Sequence, residues 1–130
     1  MPGQHPMTER DLQTAVLDLC KLLGLRTFHT RTARTADGWR TPVEGDGAGF
    51  PDLVIVGPAG VLYRELKTDN GPLSPRQRQW LDDLRDAGQD VDVWRPKDLK
   101  GGVVERELKV LRGTGHGNQT RRANPQGTVA

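Results

Sequence analysis

The chain is short of the features that mark secreted or membrane-bound proteins. Cys20 is the only cysteine among 130 residues, so an intrachain disulfide is excluded and a reducing compartment suits the chain. No apolar run approaches the roughly 20 residues that a membrane-spanning helix requires. Met1-Pro2-Gly3-Gln4-His5-Pro6 lacks the charged and apolar stretches of a signal peptide, and the expectation is a soluble, cytoplasmic protein with no membrane partner. Aromatic residues are scarce at 5%, hydrophobic residues amount to 34%, and mean hydropathy is −0.66. No internal repeat is visible, and the length suits one compact domain. A surplus of one charge is also missing from the body. The formal charge of +2 resides in residues 113–130, which carry Arg121, Arg122 and no acid, leaving seventeen basic and seventeen acidic side chains in residues 1–112. This balance does not exclude nucleic acid, because local clusters of Lys and Arg attract phosphate. The expected organisation is a flexible leader over residues 1–7, a domain over 8–112 and a disordered tail over 113–130.

What is present centres on residues 49–67, where two apolar runs flank Gly57-Pro58-Ala59-Gly60. Glycine and proline in that arrangement reverse a chain, so the stretch predicts a β-hairpin. With Val56 and Val61 closing the four-residue loop, Asp52 falls opposite Glu65. Directly opposed side chains have Cβ atoms about 4.5–5.5 Å apart, and like charges there need compensation. A divalent cation supplies it: Mg²⁺ is commonly held by one or two carboxylates together with substrate phosphate and water. Alternation brings Lys67 to the same face and sends Leu53, Ile55, Leu62 and Leu66 to the other. Two acids and a lysine at one point suit phosphodiester hydrolysis, with the ammonium orienting water or phosphate.

The flanking segments are readable from caps and periodicity. Thr8 caps a predicted helix whose apolar positions are Leu12, Val16, Leu19 and Leu23, ending near Gly24; Glu9 lies on its inward stripe, four residues before Gln13. As a first-turn acid Glu9 also suits the helix dipole. Leu25 to Thr30 predicts a strand with Leu25, Thr27 and His29 on one face. No second histidine lies near His29, so a zinc site has little support. Residues 31–48 show no periodicity. Arg31, Arg34 and Arg40 in this loop would clamp a DNA backbone and Trp39 would stack on an unpaired base, or the loop is simply solvated. Ser74, Pro75 and Gln77 mark the start of a helix of about fourteen residues that stops at Gly88, with Gln77, Trp80, Leu81, Leu84 and Ala87 facing inward. Asp90 to Arg95 predicts a short strand that Pro96 stops, with Trp94 in the core, and Val103 to Leu111 a closing helix.

Phe50-Pro51-Asp52-Leu53, Glu65-Leu66-Lys67, Leu73-Ser74-Pro75-Arg76-Gln77-Arg78-Gln79-Trp80-Leu81 and Val91-Asp92-Val93-Trp94 recur in that order. In this the chain resembles the VRR-NUC branch of the PD-(D/E)XK nuclease superfamily, its standalone, often phage-encoded members more than the large eukaryotic ones. The resemblance covers most of residues 9–99. It implies an α/β fold, a mixed central sheet flanked by helices, and Mg²⁺- or Mn²⁺-dependent endonucleolytic cleavage of structured DNA such as Holliday junctions and flaps. It further implies that Asp52 and Glu65 hold the metal with the Leu66 backbone carbonyl, that Lys67 assists the attacking water and that Glu9 completes the acidic cluster. His29 would contact phosphate, or serve only the structure; Gln77 would sit beside the lysine, or serve only the helix cap. A non-catalytic DNA-binding module and a restriction-like enzyme that cuts double strands are the alternatives. Symmetric cutting of a junction needs two active sites, for which a homodimer is the simplest source. If the chain is phage-encoded, its compartment would be the host cytoplasm.

Overall fold

A computed structural model of the chain describes residues 5–30, 33–35, 38–40 and 45–113, the two short middle segments by their backbone alone. In chain order the elements are α1 (Glu9–Leu22), β1 (Arg26–His29), β2 (Ala33–Thr35), β3 (Gly38–Arg40), β4 (Leu53–Gly57), β5 (Gly60–Leu66), α2 (Pro75–Asp86), β6 (Asp90–Trp94), α3 (Pro96–Lys100) and α4 (Val103–Arg112). Four strands form one mixed sheet in the order β1-β4-β5-β6, antiparallel except for the β5–β6 pair. This is the α/β architecture that the sequence predicts. The proposed leader falls partly, and the proposed tail almost wholly, outside the described residues. None of the described helices is long and apolar enough to cross a membrane.

The β4–β5 register is the predicted one, with Val56 paired to Val61 and Leu53 to Arg64. Pairing continues to Gly57 and Gly60, however, so the turn is two residues rather than four. Gly57 is needed there: a Cβ would come within 2.7–2.9 Å of Leu25 and Leu111, and Ala59 N–H donates to the Leu111 carbonyl at 3.0 Å. The end of α4 is thereby pinned against the hairpin tip.

One face of the sheet carries the core. Leu12, Val16 and Cys20 of α1 and Val104, Leu108 and Leu111 of α4 close over Leu53, Ile55, Leu62, Leu66 and Trp94. Each such side chain contributes about 1.5–3 kcal/mol by leaving water. Cys20 is fully buried, which pushes its thiol up to about 11, whereas Leu19 and Leu23 only flank the core. Arg64 shares this face. Its guanidinium donates to the Tyr63 and Asp90 carbonyls and to the carboxylates of Asp90 and Glu107, at 2.9–3.0 Å, and lies 5.1 Å from the Trp94 ring centre. Trp94 Nε1 donates to the same Glu107 oxygen at 2.9 Å.

The opposite face receives α2, which packs on β6 and buries Leu81, while Ala87 is exposed. Both long caps fit their sequences. Thr8 and Ser74 each accept from the N3 amide, and Asp11 and Gln77 reach back to the cap amides. α2 has twelve residues rather than fourteen. Two elements depart from the predicted pattern. Pro96 follows the end of β6 as predicted, but is also the first residue of an unpredicted α3, where its missing N–H costs nothing. Within the unpatterned stretch 31–48, β2 and β3 pair antiparallel; strands of three residues are too short to show alternation.

Candidate active site

Asp52 sits one residue before β4, where that strand begins to part from β5. Thr30 N–H still donates to its carbonyl at 3.3 Å, while its Oδ2 accepts the Leu66 N–H at 2.9 Å. The carboxylate thus caps the first β5 amide that β4 no longer reaches, and points at the next residue of interest. Glu65 is 2% exposed. Its Oε2 accepts from Gln77 Nε2 at 2.9 Å and lies 3.9 Å from Lys67 Nζ. Its Oε1 is buried with no hydrogen-bond partner.

The two carboxyls are in an unfavourable state as they stand. Burial raises Glu65 to about 8, helped by the negative field of Asp52 and Glu9 and opposed by Lys67. Burial likewise raises Asp52, against the Leu66 amide, which favours its charged form. Glu9, on the first turn of α1, is raised by burial, lowered by Lys67 and raised again by Asp52. Desolvated carboxyls of which Asp52 raises the proton affinity of the other two are the signature of a site built to hold a proton or a cation. A hard cation fits the donors present, because the Glu65 and Asp52 carboxyls, once ionised, offer oxygens that only accept. Among the described residues, no three His, Cys, Asp or Glu side chains are gathered as a metal site by themselves. The remaining ligands would have to be backbone, water or substrate oxygen.

Asp52, Glu65, Lys67 and Gln77 therefore meet at one point, with Glu9 within electrostatic reach. Gln77 fills both of its predicted alternatives at once: Oε1 accepts the Ser74 N–H at 2.9 Å while Nε2 holds Glu65. His29 emerges toward α1, where Nδ1 is 2.8 Å from Gln13 Nε2. With the amide donating, the ring proton sits on Nε2. Arg34 and Arg40 belong to β2 and β3, whose backbone alone is described, as does Trp39; Arg31 lies outside the described residues.

Other supporting residues carry no catalytic pattern in sequence. Phe50 packs edge-on against Trp80 and Tyr63, with ring centres at 5.0 and 6.2 Å, and Trp80 Nε1 donates to the Asp46 carbonyl at 2.9 Å. Gly49 takes φ +88°, and a Cβ there would meet Arg76 at 2.7 Å. These contacts seat the approach to Asp52 on the first turns of α2. Gln13 had a signal, its helical spacing from Glu9, whereas nothing in the sequence announced the contacts that Phe50, Trp80 and Gly49 make.

A model of the VRR-NUC domain family matches residues 11–98, a span that includes every residue of this cluster except Glu9. Fanconi-associated nuclease 1 of Danio rerio is 45% identical over 47 residues, which are 35% of this chain and 5% of that protein. The chain thus spans about a twentieth of the length of that relative. A solved structure described as a VRR_NUC domain protein matches with a TM-score of 0.53 at 24% identity, covering 81% of this chain and 93% of that one. That likeness shows a shared fold.

Proposed function

The chain belongs to the VRR-NUC domain family, and from that premise we propose that it is a metal-dependent endonuclease that hydrolyses phosphodiester bonds in branched DNA. The observation that carries the reading is the half-buried Asp52 beside the buried Glu65, with one Glu65 oxygen unpartnered and the Lys67 ammonium 3.9 Å from the other. Mg²⁺ or Mn²⁺ held by Asp52, Glu65 and the Leu66 backbone carbonyl would acidify a bound water and offset charge on the scissile phosphate.

The protein's own groups do the positioning. Gln77 and Lys67 converge on Glu65 Oε2, leaving Oε1 open. The Leu66 amide fixes Asp52 in the same way through Oδ2. Lys67, with its side chain only 12% exposed, is a cation beside the Glu65 carboxylate, suited to orient the attacking water or a phosphate oxygen. Glu9 adds a further acidic side chain at the border of the site. His29 presents its Nε2–H beside α1 as a donor for phosphate.

The test is incubation of the purified chain with four-way junctions, flaps and linear duplexes in Mg²⁺, Mn²⁺ or EDTA. Metal-dependent nicking of branched substrates, abolished by Lys67→Ala, is the expected result. Binding without cleavage under every metal would leave a DNA-binding module. Equal cutting of linear duplex at a defined sequence would make it restriction-like. Sedimentation with a junction bound would show whether a homodimer supplies the two sites that symmetric cutting needs.

A further inference from the structure

The sheet face that bears the carboxylates is a grid whose rows follow from the strand register, because paired residues of neighbouring strands share a face. Arg26, Val56 and Val61 form one row; Phe28, Val54, Tyr63 and Val91 form the next. Continuing the pairing through the Thr30 to Asp52 hydrogen bond, the third row holds Thr30, Asp52 and Glu65. α2 covers the β6 side of this grid and leaves the β1 side open. Exposure follows: Val91 and Glu65 are buried, Tyr63 and Val54 half-buried, Val56 is 43% exposed and Phe28 62% exposed.

Phe28 is one of only two phenylalanines in the chain. It sits on a paired strand, one row from the carboxylates, which is about 7 Å along the face. Its neighbour two residues back on the same face is the exposed Arg26. An exposed ring on a paired strand, a nearby cation and a row of acids where a metal ion would hold a phosphate together match one partner, a single strand of nucleic acid. A second copy of the chain fits less well: a stable interface buries about 800 Å² per partner, far more than Phe28 and Val56 offer.

We propose that Phe28 is a stacking platform for an unpaired base of the strand being cut, and that Arg26 contacts a phosphate of the same strand. The site would thereby select DNA with an unpaired nucleotide next to the scissile phosphate, since a paired duplex keeps its base faces stacked away from any ring. This rests on the nuclease reading above.

Binding is measured with the full chain in EDTA, so that cleavage does not enter. The probes are a flap carrying 2-aminopurine as the first unpaired base and a blunt duplex of the same sequence. The wild type is expected to prefer the flap and to quench the 2-aminopurine. Phe28→Ala should weaken flap binding roughly tenfold, leave duplex binding within about twofold and abolish the quench, while Phe28→Trp keeps both. Equal weakening on both probes, unchanged flap affinity, or an unquenched probe with the wild type overturns the proposal. So does a wild-type dimer that Phe28→Ala converts to monomer, which assigns the face to a second copy. The two readings fail separately. Stacking lost in Phe28→Ala with no cleavage by the wild type under any divalent cation removes the nuclease and keeps the platform; cleavage with a silent Phe28→Ala does the reverse.

Discussion

Arg64 and Glu65 are neighbours in β5, both 2% exposed, and point to opposite faces of the sheet. Around Arg64 the fold gathers opposite charge: two carboxylates and two carbonyls within hydrogen-bond range and the face of Trp94. Only its Nε lacks a partner. Around Glu65, among the described residues, the fold gathers like charge, leaves Oε1 empty-handed and provides an ammonium at 3.9 Å. One buried ion has its counter-ions in the chain, and the other is left waiting for them. The contrast separates a charge that holds the fold from a charge that the fold holds for something else.

Exchanging the two roles should prove impossible. Lys67→Ala removes the ammonium beside Glu65, and is expected to reduce cleavage by a factor on the order of 10²–10⁴ with the fold intact, as checked by single-turnover assay beside circular dichroism. Arg64→Met should do the opposite. It strands Glu107 and Asp90, and is expected to destabilise by about 2–3 kcal/mol, below the range for fully buried pairs because both acids reach water. Urea unfolding measures this, and cleavage per folded molecule should stay within about threefold.

pH sharpens the comparison further. Because Glu65 is raised from 4.5 to about 8, the folded state binds more protons than the unfolded state between those values, so stability of the metal-free protein falls as pH rises through that window. Glu65→Gln should remove the slope and raise the metal-free Tm at pH 8 by on the order of 5 °C. Mg²⁺ or Mn²⁺ should stabilise the wild type more at pH 8 than at pH 5, and leave Glu65→Gln nearly unmoved, as read by differential scanning fluorimetry. The smallest effect is expected at Gln77. Gln77→Ala should cost about 1 kcal/mol of stability through the lost cap, and also slow cleavage. Gln77→Glu preserves the capping box but sets another carboxylate against Glu65, so its stability loss should be smaller and its cleavage defect larger.

Much of this was legible before any coordinates. The hairpin register followed from alternation and a Gly-Pro turn, and it placed Asp52, Glu65 and Lys67 together because period two leaves no other option. The caps at Thr8 and Ser74 were equally plain, being local. Arg64 was not legible, since its partners lie 26 and 43 residues away and no local pattern announces them. Pro96 follows the end of its strand as expected, but as a stop it did not announce the short helix that it also begins. The short β2–β3 pair escaped for want of apolar residues to alternate. Gln77 looked like a choice between two roles, when its amide has two ends and the fold employs each.

That shared amide joins events usually thought of as separate. The turn that nucleates α2 and the carboxyl that awaits an ion are tied through one side chain, so tension at either end is felt at the other. The backbone amides of Ser74 and Gln77, the latter twelve residues downstream of Glu65, should then act as remote reporters. Their NMR shifts and deuterium exchange would register a titration in which they take no direct part.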